Sequence, residues 1–350
     1  MQYATRVRVM IVDDSLIART VLQRVIGQDS RLELVASANS ATQAIAALDK
    51  AAPDVILLDL EMPGMSGLEA LPKILAKAKD AQILVVSSLT AQGAEATLAA
   101  LTMGAADTLL KPAPGKFDSE YRADLLRRIL ELGSAARNDH RKNYAVPPAT
   151  PPARHRGPAP RLIAIGASTG GIHALTMFLR NLPPAIDLPI LVTQHLPASF
   201  FTVFAHQLEL AGSRPAHVAS NGDRLERGTI IIAPPDGHMT IRLDGGEPVV
   251  KIVRHTAASG CMPSVDPMLS SLAETHGPAA ICVMLSGMGR DGLEGARLLA
   301  RAGGMILAQD PESSAVWGMP GAVADDGLAD AVLPPDRLAQ HISKRLSVAV

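Results

Sequence analysis

Residues 161–171 read RLIAIGASTGG. A run of apolar residues stops on a small-residue turn with one serine, Ser168, at its centre. A short continuous apolar run that ends on glycine reads as a buried strand entering a tight turn. A phosphate cradle, a plain turn and a nucleophile on a strained corner all share this appearance. The rest of the chain has to choose between them.

The same unit recurs on both sides. Upstream, the predicted strands are VRVMIV (7–12), LELVASA (32–38), DVILL (54–58), QILVVS (82–87) and DTLL (107–110). Helical patterns lie between them at Leu16–Ile26, Ala41–Asp49, Gly67–Ala76 and Ala94–Met103, and a last helix is predicted over Ser119–Leu132. Alternation of this kind predicts a five-stranded parallel sheet covered by helices on both faces. Downstream, RLIAIG, PILVTQ (189–194), GTIIIA (228–233), AAICVML (279–285) and GMILAQ (304–309) read as buried strands. HMTIRLDGGEPVVKIV (238–253) reads as a hairpin with Asp-Gly-Gly at its turn. The expected fold class is α/β: a flavodoxin-like N-terminal domain, then a three-layer α/β/α domain with a mostly parallel sheet and a small antiparallel hairpin.

A chain of 350 residues suits two domains. Between them, from Ser134 to Pro160, six prolines and almost no large aliphatic residues occur. Such a stretch buries too little to offset its ordering entropy and reads as a semi-stiff linker. The expected organisation is a first domain over 6–130, a Pro-rich linker over 131–160 and a second domain over 161–347.

Composition removes several classes of function. The 33 basic and 34 acidic residues nearly cancel, which argues against nucleic-acid binding by phosphate neutralisation. Aromatic residues make up 3 %, too few for base-stacking platforms. The apolar runs fall far short of the ~18 residues of a membrane span, so no membrane insertion is expected. The first residues, MQYATRVRVMIVDD, lack the apolar core of a signal peptide, and a cytoplasmic protein is expected. Cys261 and Cys282 stand in no metal-ligand spacing and read as buried free thiols.

In open α/β sheets chemistry gathers beyond the C-terminal ends of the strands. In the first domain those ends carry Asp13 and Asp14, Asp59, Ser87 and Lys111. Carboxylates at close range repel, and a hard divalent cation such as Mg²⁺ resolves the repulsion. A cation beside a carboxylate, with a lysine near, is a site for accepting a phosphoryl group. Asp59, on the predicted central strand, is the expected acceptor. The bland alternative is that Asp13 and Asp14 cap the next helix.

The residues VDDS (12–15), LLDLEMPGMSGLEAL (57–71), VVSSLT (85–90) and LLKP (109–112) resemble a response-regulator receiver domain over residues 6–130. The resemblance implies phosphorylation at Asp59 by a sensor histidine kinase, and Mg²⁺ held by Asp14 and Asp59 with a contribution from Asp13. It implies that Ser87 is the switch hydroxyl and that Lys111 pairs with the phosphoryl group.

In the second domain, GASTG (166–170) fits G-x-S-x-G, the strand-to-helix elbow of a serine nucleophile. No G-x-G-x-x-G occurs there, and no Lys-Ser or Lys-Thr pair follows as in a P-loop, which weakens the phosphate cradle. A nucleophilic serine needs a base, and the base an orienting acid. His195 ends PILVTQ, and Asp291 lies in a glycine-rich loop beyond AAICVML. If these strands are parallel neighbours, Ser168, His195 and Asp291 emerge on one edge. His238, Asp236 and Asp310 also follow strands, with His238 the reserve base. Taken singly, His195 reads better as a helix-capping or packed histidine and Asp291 as the N-cap of a helix from Gly292.

The motifs IGASTGG (165–171), TQHLP (193–197), IAPPDGHM (232–239), PSVDPML (263–269), LSGMGRDG (285–292) and GMILAQD (304–310) resemble the methylesterase domain of the CheB family of chemotaxis protein-glutamate methylesterases. The resemblance covers residues 161–345, and a receiver and linker ahead of it are the family's own arrangement. It implies Ser168 as nucleophile, His195 as general base and Asp291 as orienting acid, with the backbone N–H groups of Thr169 and Met288 on the oxyanion side. It implies a phosphorylation-activated hydrolase without a metal in the catalytic domain. Its substrates would be glutamate γ-methyl esters, and specific glutamines, on methyl-accepting chemotaxis receptors. The rival reading is a receiver-gated phosphate- or nucleotide-binding module in which Ser168 merely hydrogen-bonds its ligand.

Overall fold

The computed structural model describes residues 6–137, apart from 79, 89 and 113–116, and residues 158–347. The chain divides into two compact units, residues 1–139 and 140–350.

The first unit runs β1 (Val7–Val12), α1 (Leu16–Gly27), β2 (Leu32–Ala38), α2 (Ala41–Ala51), β3 (Val55–Asp59), α3 (Gly67–Lys77), β4 (Gln82–Ser87), α4 (Ala91–Met103), β5 (Asp107–Leu110) and α5 (Ser119–Arg137). Its five strands lie in the order β2-β1-β3-β4-β5, and every pairing is parallel. β3 is buried at every position because helices cover both faces of the sheet, which is why a parallel strand reads as an unbroken apolar run. The helices start where small hydroxyl side chains take up free N–H groups. Ser15 accepts from Ala18, Ser40 from Gln43, and Ser66 forms a reciprocal box with Glu69.

Helix α5 runs five residues beyond the predicted Leu132. Gly133 permits this, since a Cβ there would fall 2.3 Å from a methyl of Val7. Ala135 and Ala136 then prolong a helix that meets no proline until Pro147. Most of the predicted linker, residues 138–157, lies outside the described residues.

The second unit runs β6 (Leu162–Ala167), α6 (Gly171–Asn181), β7 (Ile190–Gln194), α7 (Phe201–Gly212), β8 (Ala216–Val218), β9 (Ile230–Ile232), β10 (His238–Asp244), β11 (Glu247–Val253), α8 (Val265–Thr275), β12 (Ala280–Met284), α9 (Leu293–Arg301), β13 (Met305–Gln309), α10 (Met319–Asp325), β14 (Ala331–Leu333) and α11 (Pro335–Ser347). Seven strands form one sheet in the order β14-β13-β12-β6-β7-β9-β8, all parallel. β8 and β14 are absent from the predicted set. β10 and β11 form a separate antiparallel pair. Gly245 and Gly246 at its turn have φ of 60° and 91°, the positive values that a two-residue hairpin turn demands. The Ile241 N–H donates to Ser271 Oγ at 2.9 Å and fastens the hairpin to α8.

The core side chains include Phe178, Phe200 and Phe204, all fully buried. Each such side chain contributes roughly 1.5–3 kcal/mol by leaving water. The important topological fact is the place of β6. It pairs with β7 on one side and with β12 on the other. The order of strands therefore reverses at β6, and the crevice beyond its C-terminal end is where ligands bind in open α/β sheets.

Candidate active site and phosphoacceptor site

β6 delivers Ser168 to that crevice. The last register pair of β6 and β7 is Ala167 with Gln194, so Ser168 and His195 follow side by side on neighbouring strand ends. The buried Gln194 side chain fixes both, its Nε2 donating to Ser168 O at 2.9 Å and to His195 O at 3.0 Å. The turn closes when the Gly171 N–H donates to Ser168 O at 2.8 Å. The sequence places backbone strain on the serine. The structure places the left-handed residue at Gly170, with φ of 74°. Because Gly170 absorbs the reversal, α6 can start at once without forcing a side-chain-bearing residue into that region.

The structure joins His195 to Asp291, Nε2 to Oδ2, at 2.8 Å. Asp291 does not cap α9; the N-cap is Gly292. The buried Asp291 carboxylate instead accepts from Ser264 Oγ at 2.6 Å on Oδ1 and from the Val265 N–H at 2.8 Å on Oδ2. Val265 opens α8, so the carboxylate also sits at the positive end of a helix. Burial raises the Asp291 carboxyl, but the bonds to His195, Ser264 and Val265 outweigh it and hold the group below its ordinary value. For His195, burial disfavours the charged ring, while Asp291 and the neighbouring Cys261 thiol favour it; the balance is pushed up to about 9.

Among the described residues, Ser168 Oγ makes no hydrogen bond, so the serine–histidine link is not formed in this state. Catalytic hydrogen bonds in resting sites often close only around substrate. Gly287 brings the 285–292 loop against the serine: a Cβ there would lie 3.0 Å from Ser168 Cβ. Met288 follows on that loop. Thr169 is buried, and its carbonyl accepts from Ser286 Oγ at 2.7 Å.

Three predicted alternates are occupied elsewhere. His238 is fully buried, its Nδ1 accepting from the Ser264 N–H at 3.0 Å and its Nε2 donating to His255 O at 2.7 Å, so neither nitrogen can serve a nucleophile. Asp236 pairs with Arg254, and Asp310 bonds Ser313. Cys282 is buried as expected, but Cys261 is half-buried and lies at the site. Its Sγ, a His195 ring nitrogen and an Asp291 oxygen are all within 4.8 Å of one another. Gln194, Ser264 and Cys261 lie in or beside the motifs without a role assigned from sequence; their signal is spatial, since Gln194 ends β7 while Cys261 and Ser264 come from the loop before α8.

In the receiver-like unit, oxygens of Asp13, Asp14 and Asp59 lie within 4.8 Å of one another. Lys111 Nζ is 2.5 Å from Asp59 Oδ2 and 3.3 Å from Asp13 Oδ2. Burial raises the Asp59 carboxyl above its ordinary value, and Lys111 draws it only part of the way back. Ser87 Oγ and Asp13 Oδ2 are buried without a hydrogen bond. The Asp13, Asp14 and Asp59 oxygens, with one lysine offsetting only part of their charge and the Ser87 hydroxyl left unbonded, are a hard-donor set that suits a small divalent cation.

The two folds and the His–Asp pair define a response-regulator enzyme of the hydrolase class. Residues 9–118 match the response regulator receiver domain, and residues 163–342 match the CheB methylesterase domain. The chain is 42 % identical to the protein-glutamate methylesterase/protein-glutamine glutaminase 2 of Caulobacter vibrioides, over 97 % of this chain and 98 % of that one. It is 37 % identical to the group 2 operon protein of that name from Rhodopseudomonas palustris, over 96 % and 93 %. The crystal structure of the Thermotoga maritima CheB methylesterase catalytic domain is 33 % identical, with a TM-score of 0.51, covering 53 % of this chain and 98 % of that one. The chain belongs to the CheB methylesterase family, and the binding-module alternative finds no support. No helix among the described residues is long and apolar enough to cross a membrane.

Proposed function

We propose that the second unit hydrolyses glutamate γ-methyl esters on methyl-accepting chemotaxis receptors and deamidates selected glutamines there. The reading rests on the buried His195–Asp291 pair standing beside Ser168 at the switch point of the sheet. His195 takes the proton of Ser168 Oγ as that oxygen attacks the ester carbon. The oxyanion so formed is met by the backbone N–H groups of Thr169 and Met288. The imidazolium then gives the proton to the departing methoxide, and methanol leaves. Water, deprotonated by the same ring, attacks the acyl-serine; the bond to Ser168 Oγ breaks, the ring returns the proton to that oxygen, and the glutamate side chain is released. A glutamine follows the same course with ammonia as the leaving group. Asp291 holds the ring and offsets its charge throughout.

The first unit takes a phosphoryl group at Asp59 from a sensor histidine kinase. Asp13, Asp14 and Asp59 would hold Mg²⁺, which offsets charge on the transferred group. Ser87 and Lys111 contact the group afterwards, and the hydrolase rate rises in consequence. The proposed boundaries are a receiver over 6–130 and a catalytic unit over 161–347.

Methanol release from methylated receptor tests the reading. Ser168→Ala is expected to lose at least about 10³-fold of the rate while the fold and phosphorylation at Asp59 persist. A serine-directed fluorophosphonate is expected to label Ser168. Full activity in the variant, or no label on the wild type, refutes the assignment.

A further inference from the structure

We propose that His195, Cys261 and Asp291 form a binding site for a soft divalent cation, Zn²⁺ foremost, and that its occupation switches the catalytic edge off. The binding claim stands on geometry; the switching claim rests on the reading of His195 as base.

The three side chains arrive from separate places. His195 follows β7, Cys261 lies in the loop between β11 and α8, and Asp291 follows β12. One ligand atom from each lies within 4.8 Å of the other two. Sulfur, imidazole nitrogen and carboxylate oxygen together form a donor set that zinc accepts and magnesium does not favour. Tetrahedral zinc with bonds of about 2.0–2.3 Å needs ligand atoms about 3.3–3.6 Å apart. The His195–Asp291 contact of 2.8 Å must open by about 0.5 Å, and Cys261 must close by about 1.2 Å at most. The loop can supply that movement. Cys261 is half-buried, and its neighbour Gly260 has φ of 73° in open surroundings.

The outer contacts are already in place. Ser264 Oγ holds Asp291 Oδ1, and the Val265 N–H holds the other oxygen, so the carboxylate is oriented before a cation arrives. Three protein ligands leave a tetrahedral ion one open position. Binding sends the thiol proton and the extra proton of the charged His195 ring to solvent and transfers no electron. With the cation on Nε2, the nitrogen that faces Asp291, the ring keeps its remaining proton on Nδ1, which then cannot take the serine proton, so hydrolysis stops until a chelator removes the ion.

The test uses the full chain, stripped of metal and reduced, with Co²⁺ as the probe. One equivalent is expected to give a thiolate-to-cobalt charge-transfer band that Zn²⁺ displaces. Cys261→Ser is expected to abolish the band and to weaken Zn²⁺, measured by competition with a chromogenic chelator, at least tenfold; Cys282→Ala is expected to retain both. The oxygen-only site around Asp59 cannot produce a sulfur band. Zn²⁺ is expected to inhibit methanol release from the wild type, reversibly with EDTA, and to inhibit Cys261→Ser at least tenfold less sensitively. No sulfur band, or a band that survives Cys261→Ser, overturns the site. Equal inhibition of wild type and Cys261→Ser overturns the switching. The spectrum needs no turnover, so a failed hydrolase reading leaves the binding result standing.

Discussion

Ser264 Oγ donates to Asp291 Oδ1 at 2.6 Å, and both side chains are buried. The Ser264 backbone N–H is itself tied to His238, whose opposite nitrogen is tied to His255 O. The carboxylate that orients His195 is therefore braced by a chain of bonds reaching the hairpin. A hydrogen bond to a charged group is worth roughly 1.5–3 kcal/mol. Ser264→Ala is expected to lower kcat for methanol release by about 10- to 100-fold, with KM little changed. Ser264→Thr, which keeps the hydroxyl, is expected to recover most of the loss. An alanine variant with undiminished kcat would show that the brace is idle.

The turn after Ser168 depends on Gly170. An alanine Cβ there would fall 2.4 Å from Ala315 Cβ and 2.6 Å from Ser286 Oγ, at φ of 74°. The left-handed backbone costs about 1–2 kcal/mol and the overpacking about 1–3 more. Gly170→Ala is expected to lower the stability of the second unit by about 2–5 kcal/mol in urea and to erase fluorophosphonate labelling. A variant as stable as the wild type would mean that the turn relaxes freely.

Where the sequence was readable, the reason was periodicity or a strand end. β3, β6, β7, β12 and β13 are fully covered strands whose unbroken apolar runs announce themselves. β8 and β14, Ala216–Val218 and Ala331–Leu333, are three-residue edge strands, too short to show any period. The strand-end rule also found His195 and Asp291, because parallel neighbours place their C-terminal residues on one rim. It misjudged His238, which sits at a strand start and faces inward, where only its contacts with Ser264 and His255 define its role. Gln194 and Ser264 act through backbone atoms and a carboxylate far along the chain, at separations of 26 and 27 residues, so no local pattern could reveal them.

Lys111 Nζ and Asp59 Oδ2 are in contact in a site where Asp59 is buried. Asp59→Asn removes the nucleophilic oxygen and one carboxylate of the cation set while keeping the shape. It is expected to abolish incorporation of phosphate from acetyl phosphate and the accompanying rise in methanol release, and to leave the basal rate within about twofold. Stimulation that persists in this variant would place the phosphoacceptor elsewhere.

The charge of His195 supplies a pH test, made with EDTA present so that the metal-free enzyme is observed. Burial opposes the imidazolium, but Asp291 and Cys261 prevail and push the ring up to about 9, above its ordinary 6.5. A base must be neutral to accept the serine proton, so kcat/KM is expected to climb through pH 7 and 8 and to level off only near the raised value. Cys261→Ser removes one of the groups that favour the charged ring and is expected to move this rise to lower pH. Stability follows the opposite course. The folded state holds the proton more tightly than the unfolded chain, so the gain is full below about 6.5 and is lost as pH rises through about 9. Urea midpoints of the wild type should therefore fall over the same interval in which hydrolysis quickens, and His195→Gln should flatten that fall. A rate profile already level at pH 7 in the free enzyme would show that the ring is neutral at rest, contrary to the pairing with Asp291 and Cys261.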